Sequence, residues 1–218
     1  KKMLSLLLCV VMLCSTFCAA SVTVFAEEGA YTVVDMELAE VYWEEIYNKK
    51  TIINAGDWYY AYDGSMPSSI TNLSVCGYCG SETDIVIPTE FAGHKITYIH
   101  DFYFATDTVK TLRIPKEITD IGLPYNPYEE EEDNNAVYGA VFEGKSPIQD
   151  IIVDSENPKY SSLDGVLFTK NFVNLKYYPT HKTTEKYIVP STVRYITQGA
   201  FVGAKNLKSL TITPNVEK

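Results

Sequence analysis

"GAFVGAKNLKSLTITP", residues 199–214, places Phe201, Gly203, Leu207, Leu210 and Ile212 at set intervals ahead of Pro214. The same offsets recur upstream. In "VFEGKSPIQDIIVD" they fall on Phe142, Gly144, Ile148, Ile151 and Val153. In "FATDTVKTLRIP" they fall on Phe104, Val109, Leu112, Ile114 and Pro115, with the turn one residue shorter. Self-similarity of this kind marks a repeat architecture and outranks other fold signals.

The segment after each proline recurs as well. Val193 and Ile196 follow Pro190 at the distances at which Ile118 and Ile121 follow Pro115. After Pro88 a five-residue insertion intervenes, and then Ile96, Ile99 and Phe104 resume the rhythm. Pro88 and Pro115 lie 27 residues apart, Pro190 and Pro214 lie 24 apart, and both intervals fall in the range of leucine-rich repeats. Leu112-x-Ile114 and Leu210-x-Ile212 send alternate side chains to one face of a short strand. The proline then ends the strand, having no N–H for the ladder. One such coil has no interior of its own, so neighbours must stack to share a core and a parallel sheet. Phe104, Phe142 and Phe201 are expected in one column, with Leu210 in the stacked core.

"IPKEITDIG", "VPSTVRYITQGAFVGAKNLKSL" and "ENPKYSSLDGVLFTKNFVNLKYYP" resemble the BspA-type leucine-rich repeats of secreted bacterial proteins. In the last of these, Asp164 to Phe168 ("DGVLF") matches a variant coil in which a hairpin replaces one turn. The resemblance covers roughly residues 57–218. Ala204 stands where the family has a small residue or Cys, and the asparagine ladder of other leucine-rich repeats is missing. The resemblance implies a β-rich chain with short helical or 3-10 turns: a right-handed leucine-rich-repeat solenoid of parallel strands with an N-terminal helical or strand cap. It also implies adhesion or recognition outside the cell, through a surface for extracellular protein or polysaccharide and without catalysis.

Residues 1–26 read as a secretory leader. Lys1 and Lys2 precede the apolar run "MLSLLLCVVML", and Val24-Phe25-Ala26 supplies the small residues of a cleavage site. No Cys of the leader sits in a lipid-attachment context, so cleavage and release are expected. Of 18 Lys and Arg, Lys1 and Lys2 leave with the leader, so 16 face 28 Asp and Glu and the net charge moves from −10 to −12. A surface that acidic repels phosphate backbones and anionic lipid, which argues against nucleic acid. Beyond Ala26 no apolar run approaches the roughly 20 residues of a spanning helix, so no membrane insertion is expected.

Residues 27–56 stand outside the repeat. "DMELAEVYWEEIYNKK" begins on Asp35 as an N-cap and aligns Leu38, Val41, Tyr42 and Ile46 on one helical face. It reads as a short capping helix, with a linker or pro-segment as the alternative. "PYNPYEEEEDNN", 124–135, reads as a solvated loop on one side of the solenoid. No polar terminal cap is visible before Lys218, and a continuation of the natural chain is expected.

Five cysteines shrink to two once the leader is set aside, Cys76 and Cys79. In "CGYC" a redox pair would need a helix N-terminus and zinc would need more ligands than His94 and His100. A turn remains, with either a small local disulfide or two free thiols. Glu129 to Asp133 lacks the alternating spacing of a calcium loop. HExxH, GxSxG and phosphate-loop motifs are missing, and nothing singles out a carboxylate pair for glycoside hydrolysis. No cofactor is expected. The 17 tyrosines suit either a carbohydrate or protein surface or half-buried strand positions. Outward strand positions give the candidate binding face: Lys110, Thr111 and Arg113; Gln149, Asp150 and Ile152; Lys208, Ser209 and Thr211. The alternative function is an accessory repeat module of a larger secreted enzyme or cell-wall protein. Oligomeric state leaves no mark in the sequence.

Overall fold

The computed structural model describes residues 21–26, 29–34, 51–63, 71–122, 142 and 146–217. The helix expected from Asp35 and the acidic loop 124–135 lie outside the described residues. Of the residues read as a leader, Ser21–Ala26 is described, as strand β1, paired antiparallel with β2 (Gly29–Val34). Among the described residues no helix is long and apolar enough to cross a membrane.

Antiparallel strands β3 (Thr51–Ala55), β4 (Trp58–Asp63) and β5 (Thr71–Tyr78) form the N-terminal end of the repeat. The cap alternative realised in the described residues is therefore made of strands. From β5 onward the chain coils. Strand β6 (Asp84–Val86) comes first, followed by a small hairpin of β7 (Glu90–Phe91) and β8 (His94–Lys95). This hairpin is the five-residue insertion seen after Pro88. Its turn holds Ala92 and Gly93 at φ of 50° and 76°, and Phe91 stacks on Tyr60 at 4.2 Å.

Next come β9 (Tyr98–Phe104), β10 (Thr111–Ile114), β11 (Asp120–Ile121) and β12 (Asp150–Val153). After them β13 (Tyr160–Leu163) and β14 (Val166–Thr169) form a hairpin that leads into β15 (Asn174–Tyr177). The last strands are β16 (Lys186–Ile188), β17 (Tyr195–Ile196) and β18 (Ser209–Thr211). Five coils result, each with a strand on two sides. One side carries β5–β9–β11 and then β15–β17, and the other carries β6–β10–β12 and then β16–β18, all paired in parallel. The chain is a β-solenoid.

The ladder follows the register of the repeat. Ile85 pairs with Leu112, Leu112 with Ile151, and Ile114 with Val153. Tyr187 occupies the same place in the fourth coil, opposite Leu210. Inward residues of β10 and β12 are buried and outward ones are not, as alternation requires.

Two expectations need correction. The phenylalanines do not form one column. Phe104 lies 6.3 Å from Phe142, which meets Tyr177 at 5.0 Å in the first core cluster. Phe201 belongs to a second cluster, 5.2 Å from Tyr178. Between the clusters stands β14, whose first three residues are buried, with Leu167 in the first cluster and Val166 and Phe168 in the second. Leu210 is also not in the stacked core. It is 38% exposed, because among the described residues β18 is paired on one side alone and no coil covers its inward face.

A buried asparagine ties the coils at the turns. The Asn157 side-chain amide donates to the carbonyls of Pro115 and Ile118 at 2.9 and 2.7 Å. Its oxygen accepts from the backbone N–H groups of Lys159 and Tyr160 at 2.9 and 2.8 Å. All of its bonding capacity spans two coils.

Leu112, fully buried between two neighbours, and Leu210 therefore respond differently to charge. Leu112→Asp should cost about 4 kcal/mol, and Leu210→Asp under about 1 kcal/mol, read from urea midpoints. Equal losses would mean that Leu210 is covered. Asn157→Leu, which removes the side-chain partner of two carbonyls and two N–H groups at the turns, should cost about 2 kcal/mol by the same measurement.

Candidate functional site

The outward side chains of the second sheet form two rungs. Asp84, Thr111 and Asp150 are in register across β6, β10 and β12, and Val86, Arg113 and Ile152 form the rung above. Ser209 and Thr211 continue these rungs on β18, opposite Lys186 and Ile188 of β16. Lys110, Gln149 and Lys208 sit in the turns that enter β10, β12 and β18. The Lys110 carbonyl accepts from the backbone N–H of Gln149 at 2.8 Å, and the Lys208 N–H donates to Glu185 at 2.8 Å. The candidate residues thus lie on one wall, but in two groups separated by a gap.

Most charges on this wall are already paired. Arg113 grips Asp84 through two parallel hydrogen bonds of 2.8 Å, from Nε and from an Nη. That grip holds the Asp84 carboxyl below its ordinary value. Lys208 pairs with Glu185 at 2.6 Å. Asp150 accepts from Lys182 Nζ at 2.9 Å, and the lysine stem is nearly buried while the carboxylate stays half-exposed.

The gap is a groove of about 700 Å³ between β12 and β16, within the size range of ligand clefts. Asp150, Lys182, Lys186, Ile152, Ile188 and Asp164 are among its lining residues. Its origin is the β13–β14 hairpin. The strands of the hairpin join the first side of the solenoid through β15, and its tip, Asp164-Gly165, reaches the second. Both tip residues have positive φ, 50° and 75°, the twist that favours Asp-Gly in a two-residue hairpin turn. The Gly165 carbonyl accepts from the Ile151 N–H at 2.9 Å, and Ser162 Oγ accepts from the Val153 N–H at 3.0 Å. The hairpin therefore caps the edge of β12 and leaves β16 without a neighbour on that side. A Cβ on Gly165 would overlap the Asp150 carboxylate.

Cys76 lies within strand β5 and not in the expected turn, Cys79 follows just beyond the strand, and no disulfide joins the two in the structure. Cys76 is buried beside Ile52 and Ala61, and Cys79 Sγ accepts from Asn54 Nδ2 at 3.2 Å. Burial first, and then the Cys79 sulfur, push the Tyr59 hydroxyl up to about 12. Among the described residues no three His, Cys, Asp or Glu side chains gather as a metal site. Many tyrosines prove structural: Tyr60, Tyr62, Tyr78, Tyr177, Tyr178 and Tyr187 are buried. The sequence reading missed Asp84, Asp164, Lys182, Lys186 and Ile188. For Asp164 a signal was present, since Asp-Gly between apolar residues marks a hairpin tip.

No family model matches the chain, and no curated protein does. Solved structures do match at low identity. A leucine-rich repeat protein from Eubacterium ventriosum shares 17% identity at a TM-score of 0.38, over 74% of this chain and 59% of that one. The pneumococcal vaccine antigen PcpA shares 14% at 0.37, over 78% and 66%. A leucine-rich cell surface protein from Faecalibacterium prausnitzii shares 11% at 0.28, over 76% and 77%. The chain spans less than two thirds of the length of the first two. These likenesses do not bear on what the wall binds.

Two outcomes check the geometry. In an NMR titration the Asp84 carboxyl should titrate below the ordinary aspartate range and return toward it in Arg113→Ala. Because its folded value is lowered, whatever the pair contributes is present above the ordinary aspartate value and is lost as pH falls through the lowered one. Gly165→Ala, strained at positive φ and pressed on Asp150, should cost about 2 kcal/mol in thermal melts. A neutral result would mean that the tip does not seat against β12.

Proposed function

We propose that this chain is a BspA-type leucine-rich-repeat protein that works outside the cell. In this reading the second wall of its solenoid is a non-catalytic contact surface for an extracellular protein or polysaccharide. The observation that carries the reading is the wall itself: two parallel sheets on either side of a groove, whose inward residues build the core and whose outward residues are left at the surface. Thr111, Ile152, Ile188, Ser209 and Thr211 stand there beside a groove. Stacked repeats characteristically present extended recognition surfaces of this kind. The leader-like segment 1–26 and the acidic charge support an address outside the cell.

Binding to arrays of matrix proteins and glycans tests the reading. The wild-type chain should retain at least one class of ligand, and a variant carrying Lys110→Glu, Ile152→Glu and Lys208→Glu should lose most of the signal at unchanged melting temperature. Retained binding by the variant would move the contact surface off this wall. Robust turnover of a glycan or peptide, abolished by one carboxylate substitution, would replace the reading with an enzymatic one.

A further inference from the structure

We propose that the groove between β12 and β16 is a docking slot for an extended peptide segment of a partner protein, which adds as a strand to the bare edge of β16. This deepens the binding reading above and rests on it. The first argument is the hydrogen-bond pattern. In a parallel ladder one strand bonds its neighbour through alternate residues. The β18 side of β16 uses the Glu185 carbonyl, which accepts from the Ser209 N–H at 3.0 Å, and the Val189 N–H, which donates to Thr211 at 2.9 Å. Tyr187 stands between them on that same side. The peptide groups of Lys186 and Ile188 must then point the other way, into the groove, and no protein hydrogen bond reaches them among the described residues.

Such an edge is a template for another strand. The corresponding edge of β12 is closed by Gly165 and Ser162, so the vacancy has one side that takes a strand and one that does not. Strand addition draws affinity from main-chain bonds and specificity from contacts to alternate side chains. The walls provide those contacts. Ile188 and Ile152 are 68% and 40% exposed on either side of the groove, and Val86, 55% exposed, lies in register with Ile152 across Arg113. The Asp164 carboxylate and the Lys186 ammonium also line the groove without an ion-pair partner among the described residues. A segment carrying a base near Asp164 and an acid near Lys186 completes both pairs. A saccharide chain is the poorer fit. The flat rings that pack on sugar faces are missing from the lining, where the one aromatic, Tyr187, is buried in the second core cluster.

The test pans the full chain against a phage-displayed library of random linear peptides, with a glycan array in parallel. The tightest peptide is synthesised, and amide hydrogen exchange of the chain is followed by NMR with and without it. The expected result is protection of the Lys186 and Ile188 amides by about tenfold or more, the signature of new main-chain bonds. Ile188→Pro, which removes one groove-facing donor and leaves the β18 bonds in place, should weaken the peptide about tenfold. Should that variant unfold, the exchange result on the wild-type chain decides alone. Peptides that bind without protecting these amides, or glycans that bind the groove where no peptide does, overturn the inference and leave the binding wall standing. If peptides, glycans and matrix proteins all fail to bind, the inference and the binding reading fall together.

Discussion

The burial of β14 on both faces organises the rest of the molecule. A strand of ordinary amphipathic pattern covers one core and faces water. Val166, Leu167 and Phe168 instead are all buried, Leu167 toward one cluster and its two neighbours toward the other. The strand is a partition through a solenoid that would otherwise have a continuous interior. The adjacent Tyr177 and Tyr178 repeat the division, one in each cluster. The partition also explains the groove. Two extra strands placed on one side of a coil leave the other side short, and only the Asp164-Gly165 turn crosses to it.

Around that partition, stacking energy is distributed coil by coil. Each inward residue of β10 touches one coil below and one above, so burial is complete in the middle of the array and falls off at β18. Hydrogen bonds between turns supply what apolar stacking cannot, namely a fixed offset between coils. Asn157 does this from the inside. Surface pairs such as Arg113 with Asp84 and Lys116 with Glu156 do it from the outside, where solvent screens most of their worth.

Much of the fold was legible because repeats expose their register. Leu112, Ile151 and their partners were placed on one ladder by spacing alone, and Thr111, Arg113 and Asp150 were assigned to its outer face by alternation. Leu210 was misplaced, since its spacing matches Leu112 while its burial depends on whether another coil lies beyond it. Phe201 was misplaced too, because equal offsets along the chain do not reveal a strand inserted between coils. The groove itself was illegible for the same reason. Lys182, Lys186 and Ile188 belong to no motif, and they meet Asp150 and Asp164 only after the hairpin has opened the sheet.

The sequence by itself determined that the chain coils, which repeat residues face inward, and where proline follows the ends of β6, β10, β16 and β18. Those features follow from local alternation, from proline and from recurrence, all of which act within about two dozen residues. Tertiary structure alone decided that the core divides in two, that one sheet is interrupted, and that β16 keeps a bare edge. These depend on which coils become neighbours, and neighbour relations are set by the packing of side chains far apart in the chain.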